Sequence, residues 1–290
     1  MTNEAYHGEV EWYSKSHLDV VAQTDAHYYA AYLDPNRGPH VPTTAMIQGS
    51  AIHTATLEPE KFELEYVVVP DSLPNRPTSR QVNAKKPSAE TTEAISAWSE
   101  FTAASTGKTI LTRDQWDISL AAQASVRKHK RAREILRRGK AEEAYFGIDP
   151  DTGAQVKAKP DWRHDDGIAD LKSTEDASQD GFYKSVVNFN YHLQPWWYQN
   201  AIEAALDTTL PKLWEFIAVE KSPPYAVAVY TLPDVVLRAG AIRAQVLLRR
   251  ILDAKMLDEW VAYSDDTQTL EFSTWALNKL GANSAEVDFA

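Results

Sequence analysis

Hydrophobic and polar residues alternate most regularly in the middle of the chain, over Val156–Thr174. The alternation is interrupted at the Asp166-Gly167 pair, which is a strong signal for a tight turn. It resumes over Ile168–Lys172. Because side chains on a strand point alternately to opposite faces, the pattern predicts a β-hairpin whose first arm runs continuously from Val156 to the turn.

The register of this hairpin brings charged residues together. A four-residue loop over His164–Gly167 sets Asp161 opposite Asp170 on the same face. A two-residue turn would shift the register by two residues and leave both acids on that face. Lys172 shares that face because it lies two residues after Asp170 on the same strand. Two neighbouring carboxylates are unfavourable unless a cation lies between them, and hard oxygen ligands suit Mg²⁺ or Mn²⁺. The hairpin is therefore a candidate metal site.

The remaining pattern predicts helices around a few further strands. Helices are predicted at about 16–33, 43–58, 89–105, 113–138, 177–187, 190–206 and 233–263. Strands are predicted at 66–70, 213–219 and 226–232, together with one that starts at Glu142 and precedes the hairpin. Residues 70–90 contain four prolines and are predicted to form a long loop.

The composition favours one large domain. With 290 residues, of which 43% are hydrophobic, the chain can bury a full core. We expect a single domain over residues 1–290. Its parts are a helical N-terminal region over about 1–138, an α/β core over about 140–235, a C-terminal helix over about 233–263 and a weakly ordered tail from about 278.

Charge and cysteine content exclude several classes of protein. A net charge of −11 argues against indiscriminate coating of nucleic acid, because phosphate binding depends on lysine and arginine. The absence of cysteine excludes disulfides, thiolate zinc sites and cysteine-ligated iron–sulfur clusters. The chain has no long apolar run and no basic, apolar signal at its N-terminus. We therefore expect a cytoplasmic protein with no membrane partner.

The densest basic run lies over Lys128–Lys140, near the end of a predicted helix. Cations at a helix C-terminus interact favourably with the helix dipole, and Gly139 is a suitable residue for the helix end. The same cations are equally good candidates for contacts with a DNA backbone. The candidate DNA-binding residues are Lys128, Lys130, Arg131, Arg137 and Arg138.

Two pairs of helical residues add polar groups to this picture. Gly49 and His53 are one turn apart, so the glycine would allow another segment to approach closely beside the imidazole. A lone helical histidine is more often an ordinary core or surface residue, and the spacing alone does not change that. Gln194 and Tyr198 are also one turn apart, on a helix whose tryptophans are explained by packing but whose glutamine is not.

Together these motifs resemble a known class of nucleases. Pro160-Asp161 followed by Asp170-Leu171-Lys172 matches the PD-(D/E)xK signature. Gly49–His53 with Leu57–Glu60 resembles a segment of the exonuclease VIII (RecE) group, and Gln194–Tyr198 resembles a motif of RecB-type nuclease domains. Lambda exonuclease is a more distant likeness. The resemblance implies an α/β fold with a PD-(D/E)xK (restriction-endonuclease-like) core, in which helices flank a mixed central sheet.

The resemblance also implies a set of metal ligands. These are His53, Asp161, Asp170 and a glutamate that precedes the hairpin. That glutamate is Glu142 or Glu143, and the family pattern, with a small residue two places after the acid, favours Glu142. The ligands would hold one or two Mg²⁺ ions, with Mn²⁺ as a substitute.

The catalytic residues implied by the resemblance are Asp161, Asp170, Lys172, Gln194 and Tyr198. The lysine would orient or deprotonate the attacking water or stabilise the charged phosphorus centre. The glutamine and the tyrosine would position the phosphate.

The function implied by the resemblance is a Mg²⁺-dependent exonuclease that degrades double-stranded DNA from its ends, 5′→3′, and leaves a 3′ single strand. It would act in phage-type homologous recombination, in the cytoplasm of a bacterial host, as the product of a phage or prophage. Its partners would be a single-strand annealing protein and further copies of itself in a ring, as a trimer or a tetramer. The alternatives are a site-specific PD-(D/E)xK endonuclease and a non-catalytic protein that binds DNA or assembles with other proteins.

Overall fold

The computed structural model describes residues 3–39 and 41–281. Its α-helices are α1 (Asn3–Gly8), α2 (Lys15–Val21), α3 (Asp25–Tyr28), α4 (Thr44–Leu57), α5 (Pro59–Glu65), α6 (Ser79–Val82), α7 (Ala89–Ala104), α8 (Arg113–Lys128), α9 (Lys130–Ile135), α10 (Gln179–Asn188), α11 (Gln194–Leu206), α12 (Asp234–Leu257) and α13 (Thr274–Lys279). A π-helix covers Tyr29–Leu33, and a 3₁₀-helix covers Tyr191–Leu193. The strands are β1 (Tyr66–Val68), β2 (Thr109–Leu111), β3 (Lys140–Ala141), β4 (Tyr145–Ile148), β5 (Gln155–Ala158), β6 (Trp162–His164), β7 (Gly167–Thr174), β8 (Leu213–Glu220) and β9 (Val227–Tyr230).

Five of these strands form the central sheet of the described chain, in the order β3-β6-β7-β8-β9. The sheet is mixed, because β7 and β8 are parallel while the other neighbours are antiparallel. Two small sheets, β1-β2 and β4-β5, accompany it. Helices pack on both faces of the central sheet. The expected α/β fold, with a mixed sheet flanked by helices, is confirmed.

The middle strand β7 is buried on both of its faces. Leu171 belongs to a core cluster with Ile52 of α4 and Val126 of α8. Ile168, on the opposite face, belongs to a cluster that includes Trp197 of α11. Because side chains alternate along a strand, the even-numbered residues of β7 point toward the α11 side. The fold therefore carries the polar residues of β7 into the interior of the protein.

The predicted hairpin is correct in register but wrong in the extent of its first arm. Strands β6 and β7 pair as expected, with Arg163 opposite Ile168. The turn predicted at Asp166-Gly167 lies instead at Asp165-Asp166, because Gly167 already pairs with His164 as the first residue of β7. The first arm, however, is divided into two strands, because β5 pairs with β4 and only β6 pairs with β7. Pro160 lies in the gap between them, and a proline has no N–H with which to continue a ladder.

Two long helices predicted in the N-terminal half are interrupted. The helix expected at 16–33 forms α2, α3 and the π-helix, because Thr24 is extended and its side chain accepts a hydrogen bond from the His27 N–H at 3.1 Å. The helix expected at 113–138 breaks at His129, whose Nδ1 accepts a hydrogen bond from the Ala132 N–H at 3.2 Å. Each break is stabilised by a new N-terminal cap.

Three residues in the left-handed region shift other predicted boundaries. Asp258 (φ 52°) ends α12 at Leu257, before the expected end near 263. Asn190 (φ 51°) makes no side-chain cap, and α11 begins only after the 3₁₀-helix. Glu142 (φ 52°) lies between β3 and β4 and does not start a strand.

The ends of the chain and its loops agree in part with expectation. Residues 70–90 are mainly loop, although they contain the short helix α6. The tail predicted from about 278 falls mostly at 282–290, which lie outside the described residues. Within 3–39 and 41–281, no helix combines the length and the apolar character that crossing a bilayer requires.

Two helical glycines make a matched test of packing. A Cβ at Gly240 in α12 would lie 1.9 Å from the carbonyl oxygen of His192, whereas a Cβ at Gly49 in α4 would lie 3.5 Å from Ser173 Oγ. We expect Gly240→Ala to destabilise the protein by about 1–3 kcal/mol through overpacking. Gly49→Ala should be neutral or stabilising by up to about 1 kcal/mol, because alanine is the better helix former. Urea unfolding measures both, and equal stabilities would contradict the packing described for α12.

Candidate metal and catalytic site

The polar face of β7 supplies the centre of the site. Asp170 is 1% exposed and forms an ion pair with Lys172, two residues further along the strand. The side-chain amide of Gln194, at the start of α11, donates a hydrogen bond to Asp170 Oδ1 at 2.9 Å. Pro195 is tolerated in this first turn of α11, so the helix can begin at the glutamine. One carboxylate thus holds both the lysine and the glutamine in place.

Asp161 reaches the same place from the gap between β5 and β6. Its Oδ2 accepts a hydrogen bond from the Leu171 N–H at 2.7 Å, which fixes the carboxylate beside β7. His53, from the third turn of α4, has its Nδ1 3.5 Å from the same oxygen. The hairpin register and the packing of α4 on β7 therefore bring together residues that are far apart in sequence.

Glu142 completes a group of three potential metal ligands. The left-handed backbone at Glu142 ends β3 and turns the chain, and the carboxylate forms an ion pair with Lys159. Ligand atoms of His53, Glu142 and Asp161 all lie within 4.8 Å of one another. Two carboxylates and an imidazole are a donor set that suits a divalent cation such as Mg²⁺ or Mn²⁺. Asp170, which was also expected to be a ligand, is not in this group; its oxygens lie against Lys172 and Gln194.

The acids of the site interact unfavourably with one another. Burial, followed by the charge of Asp170, raises the pKa of Asp161 to about 7. Burial and the charge of Asp161 raise the pKa of Glu142. Burial and the charge of Lys172 lower the pKa of His53. All three shifts disfavour the charged form, and a cation among the ligands would offset the repulsion between the carboxylates. The residues therefore fit a divalent metal ion.

Lys172 keeps its charge in this buried setting. Burial alone would lower its pKa, but the charges of Asp170 and Asp161 outweigh burial and raise it. The ammonium nitrogen also lies 4.7 Å from the centre of the Tyr191 ring, at cation–π distance. A lysine held between a carboxylate and an aromatic ring has a restricted position.

Tyr198 lies one helical turn after Gln194 and contacts its side chain. The hydroxyl group is buried near both aspartates. Burial, with the charges of Asp170 and Asp161, raises the pKa of Tyr198 well above its ordinary value. The phenol therefore stays protonated and can donate a hydrogen bond. All five predicted catalytic residues thus lie in one neighbourhood.

Glu143 belongs to a separate surface network. It forms ion pairs with Lys140 (2.8 Å) and Arg163 (3.2 Å) and a hydrogen bond with the hydroxyl of Tyr145. The hydrogen bond from Lys140 and that from Tyr145 lower the pKa of Glu143 to about 2. The structure thus brings Glu142, and not its neighbour, to the site.

The basic run is divided by the structure. Arg131 is bound to Glu215 through two hydrogen bonds, of 2.9 and 2.7 Å, which anchor α9 to the central sheet. The remaining candidates for DNA contact are exposed: Lys128, Lys130, Arg137 and Arg138. These four can meet a phosphate backbone without breaking the pair between Arg131 and Glu215.

Sequence reasoning missed two residues of the site. Lys159 pairs with Glu142, and Tyr191 packs against Lys172. The polar position of Lys159 in the K-A-K-P-D string was a visible signal, because it precedes Asp161 by two residues. Nothing in the sequence around Tyr191 indicates its contact with a lysine on another element.

Comparison with known proteins agrees with the PD-(D/E)xK motif and the α/β fold described above. The model of a family described as "PDDEXK-like domain of unknown function (DUF3799)" matches residues 14–271. Solved structures are also similar to the chain, among them a "Putative exonuclease" from Eubacterium rectale. That likeness has a TM-score of 0.60 and 16% sequence identity, and it covers 99% of each chain, so it concerns the fold alone. No curated protein shows significant similarity to this chain.

The pair of adjacent glutamates provides a test of the metal site. We expect Glu142→Gln to weaken Mn²⁺ binding at least about tenfold, because it removes a ligand of the group. Glu143→Gln should bind Mn²⁺ with wild-type affinity, because its carboxylate is engaged elsewhere. Isothermal titration calorimetry measures both affinities. Equal affinities in the two variants would contradict the ligand assignment.

Arg131 provides a test of structural against DNA-binding roles. We expect Arg131→Ala to destabilise the protein by about 1–3 kcal/mol, because the buried carboxylate of Glu215 loses both hydrogen bonds. Lys130→Ala, at the exposed neighbouring position, should leave the free energy of unfolding within about 0.5 kcal/mol of wild type. Chemical denaturation measures this difference, and a neutral Arg131→Ala would show that the pair does not hold α9.

Proposed function

The chain belongs to the family of PDDEXK-like domains of unknown function (DUF3799), and on that premise we propose that it is a metal-dependent nuclease. Membership confirms the expected PD-(D/E)xK core, whereas closer kinship with the exonuclease VIII group stays a prediction. The observation that carries the proposal is the convergence of Asp161, Asp170 and Lys172 beside His53 and Glu142. This acid–acid–lysine set is complete, and it is buried where phosphodiester chemistry needs preorganised charge.

The residues divide the chemistry among themselves. His53, Glu142 and Asp161, with Asp170 beside them, would hold Mg²⁺ or Mn²⁺, which would supply charge stabilisation and a more acidic water. Lys172, aligned by Asp170 and Tyr191, orients the attacking water or stabilises the negative charge that develops on the phosphate oxygens. Gln194 and Tyr198 act as hydrogen-bond donors for positioning, through the amide and the protonated phenol.

The finer proposal is an exonuclease that acts on the ends of double-stranded DNA. It rests on the motif resemblance and on the name of the similar protein from Eubacterium rectale, a "Putative exonuclease". We infer 5′→3′ degradation that leaves a 3′ single strand, for phage-type recombination in a bacterial cytoplasm. The corresponding partners are a single-strand annealing protein and further copies of the chain, arranged as a trimeric or tetrameric ring.

The assay that tests this function compares two DNA substrates in the presence of Mg²⁺ or Mn²⁺. Loss of linear duplex from its ends, with closed circular duplex intact, is the expected result. Cleavage of circles would instead identify a site-specific endonuclease. Absence of hydrolysis with either metal would identify a protein that only binds DNA or assembles with others, and would overturn the proposal.

Variants of β7 test the assigned chemistry. We expect Lys172→Ala and Asp170→Asn to lower the rate of hydrolysis at least about 10³-fold. The first variant removes the positive charge that acts on the reacting phosphate, and the second removes the carboxylate that aligns Lys172 beside the metal ligands. DNA binding should stay close to wild type in both variants. Lys184→Ala, an exposed lysine on α10, is the matched control and should retain full activity. Rates near wild type in either site variant would refute the roles given to Asp170 and Lys172.

A further inference from the structure

One exposed segment has a charge opposite to that of the protein as a whole. The chain has a net charge of −11, yet residues 72–89, here called the basic arch, contain four basic residues and no acidic one. The four are Arg76, Arg80, Lys85 and Lys86. Such a concentration of positive charge in an acidic protein is expected where a polyanion binds.

The charges of the basic arch are available to a ligand. All four side chains are exposed. Within the described residues, Arg80, Lys85 and Lys86 have no carboxylate within 4.0 Å, whereas many other lysines and arginines of the chain form ion pairs. Exposed cations without an internal acid keep their full attraction for phosphate groups.

The basic arch is held in place by α7. The indole N–H of Trp98 donates a hydrogen bond to the Pro74 carbonyl at 2.8 Å, and the Arg76 guanidinium lies 5.2 Å from the centre of the indole ring. Thr78 and Gln81 form a reciprocal cap on α6, with hydrogen bonds of 2.9 and 3.3 Å. These contacts attach the first part of the segment to α7 and give its backbone a defined path, while the side chains of Arg80, Lys85 and Lys86 extend into solvent.

The positions of the basic arch and of the site can be compared along helix α8. The arch leaves the protein body at the start of α8, where Asp71 pairs with Arg113 at 3.5 Å. The basic run at Lys128 and beyond lies at the other end of α8. Helix α4 runs alongside, with Gln48 bonded to Ser119 and the Ala55 carbonyl bonded to Gln123. His53 therefore lies between the two ends of α8.

We propose that the basic arch binds the phosphate backbone of the DNA substrate on the side of the active site opposite to Lys128, Lys130, Arg137 and Arg138. This inference deepens the proposed function and rests on it. The 16 residues of α8 span about 24 Å, at a rise of about 1.5 Å per residue. That length, which separates the base of the arch at Asp71 from Lys128, corresponds to about seven base pairs of B-DNA, and in this proposal the scissile phosphate lies between these two ends.

The test measures how DNA affinity depends on salt. Anisotropy of a fluorescent 20-base-pair duplex is followed in EDTA, which prevents metal-dependent hydrolysis. In the variant Arg80→Gln/Lys85→Gln/Lys86→Gln, we expect affinity at 0.1 M salt to fall at least about tenfold. The slope of log K against log salt should decrease in magnitude by about 2 to 3, because each lost phosphate contact removes about 0.9.

A matched control removes the same charge from another exposed surface. Arg238→Gln/Arg243→Gln/Arg249→Gln, on α12, should keep the wild-type slope and affinity. An arch variant that binds like wild type, or a control that loses as much affinity, overturns the inference.

The same variants separate this inference from the proposed function. Hydrolysis by the wild type together with unchanged binding by the arch variant would refute the role of the arch in DNA binding but would not affect the proposed nuclease activity. Binding that depends on the arch, without hydrolysis in Mg²⁺ or Mn²⁺, would support the DNA-binding surface and refute the nuclease.

Discussion

The structure depends on the balance of charges buried around β7. Three carboxylates, from Glu142, Asp161 and Asp170, lie close to two ammonium groups, from Lys159 and Lys172. Burial in this poorly hydrated place, followed by repulsion between neighbouring acids, raises the pKa values of Asp161 and Glu142. The lysines offset part of it, and a divalent cation would offset the rest. Because the three carboxylates outnumber the two ammonium groups, the site favours a divalent cation, and the chemistry proposed for the site depends on that cation.

The fold can accommodate this cluster of buried charges because packed helices and strands hold each of the charged side chains in position. Strand β7 is paired on both edges and covered on both faces, so Asp170 and Lys172 have little freedom. Helix α4 is fastened to α8 through Gln48, which positions His53 from the other side. The start of α11 adds Gln194. A site assembled from elements that are themselves tightly packed can hold charges at fixed separations, as preorganised catalysis requires.

The sequence was sufficient to predict the parts of the site that depend on local rules. The predicted register of the hairpin, with Arg163 opposite Ile168, is confirmed by the observed pairing, although the turn falls one residue earlier than expected, at Asp165-Asp166. Asp161 lies just before β6 and reaches β7 through its hydrogen bond with the Leu171 N–H. The division of the first arm was also foreseeable, because Pro160 cannot continue a ladder. The break of the long helix at His129 was not, because a histidine cap competes with helix continuation only in a particular packing.

Contacts between distant elements set the limit of prediction from sequence. Lys159 and Glu142 are separated by a whole sheet of two strands, and Lys172 and Tyr191 by a helix. The periodicity of the sequence does not indicate such contacts. Arg131 is a case in which the sequence pattern suggested a contact that the structure does not favour. Its place in a basic run suggested DNA contact, yet its charge is bound to Glu215 on the central sheet. Family likeness supplied the predicted roles of both His53, which spacing alone left as an ordinary helical residue, and Gln194, whose polar side chain on that helix face packing did not explain.

The most direct test of the central claim is the melting temperature of the protein with and without Mn²⁺. A ligand that binds only the folded state at 100 times its Kd stabilises the protein by about 2.7 kcal/mol, which is about 4 °C for a chain of this size. We predict that increase for the wild type and its loss in the variant His53→Ala/Glu142→Gln/Asp161→Asn. A wild-type melting temperature that does not respond to Mn²⁺, or an equal increase in the variant, would contradict the account.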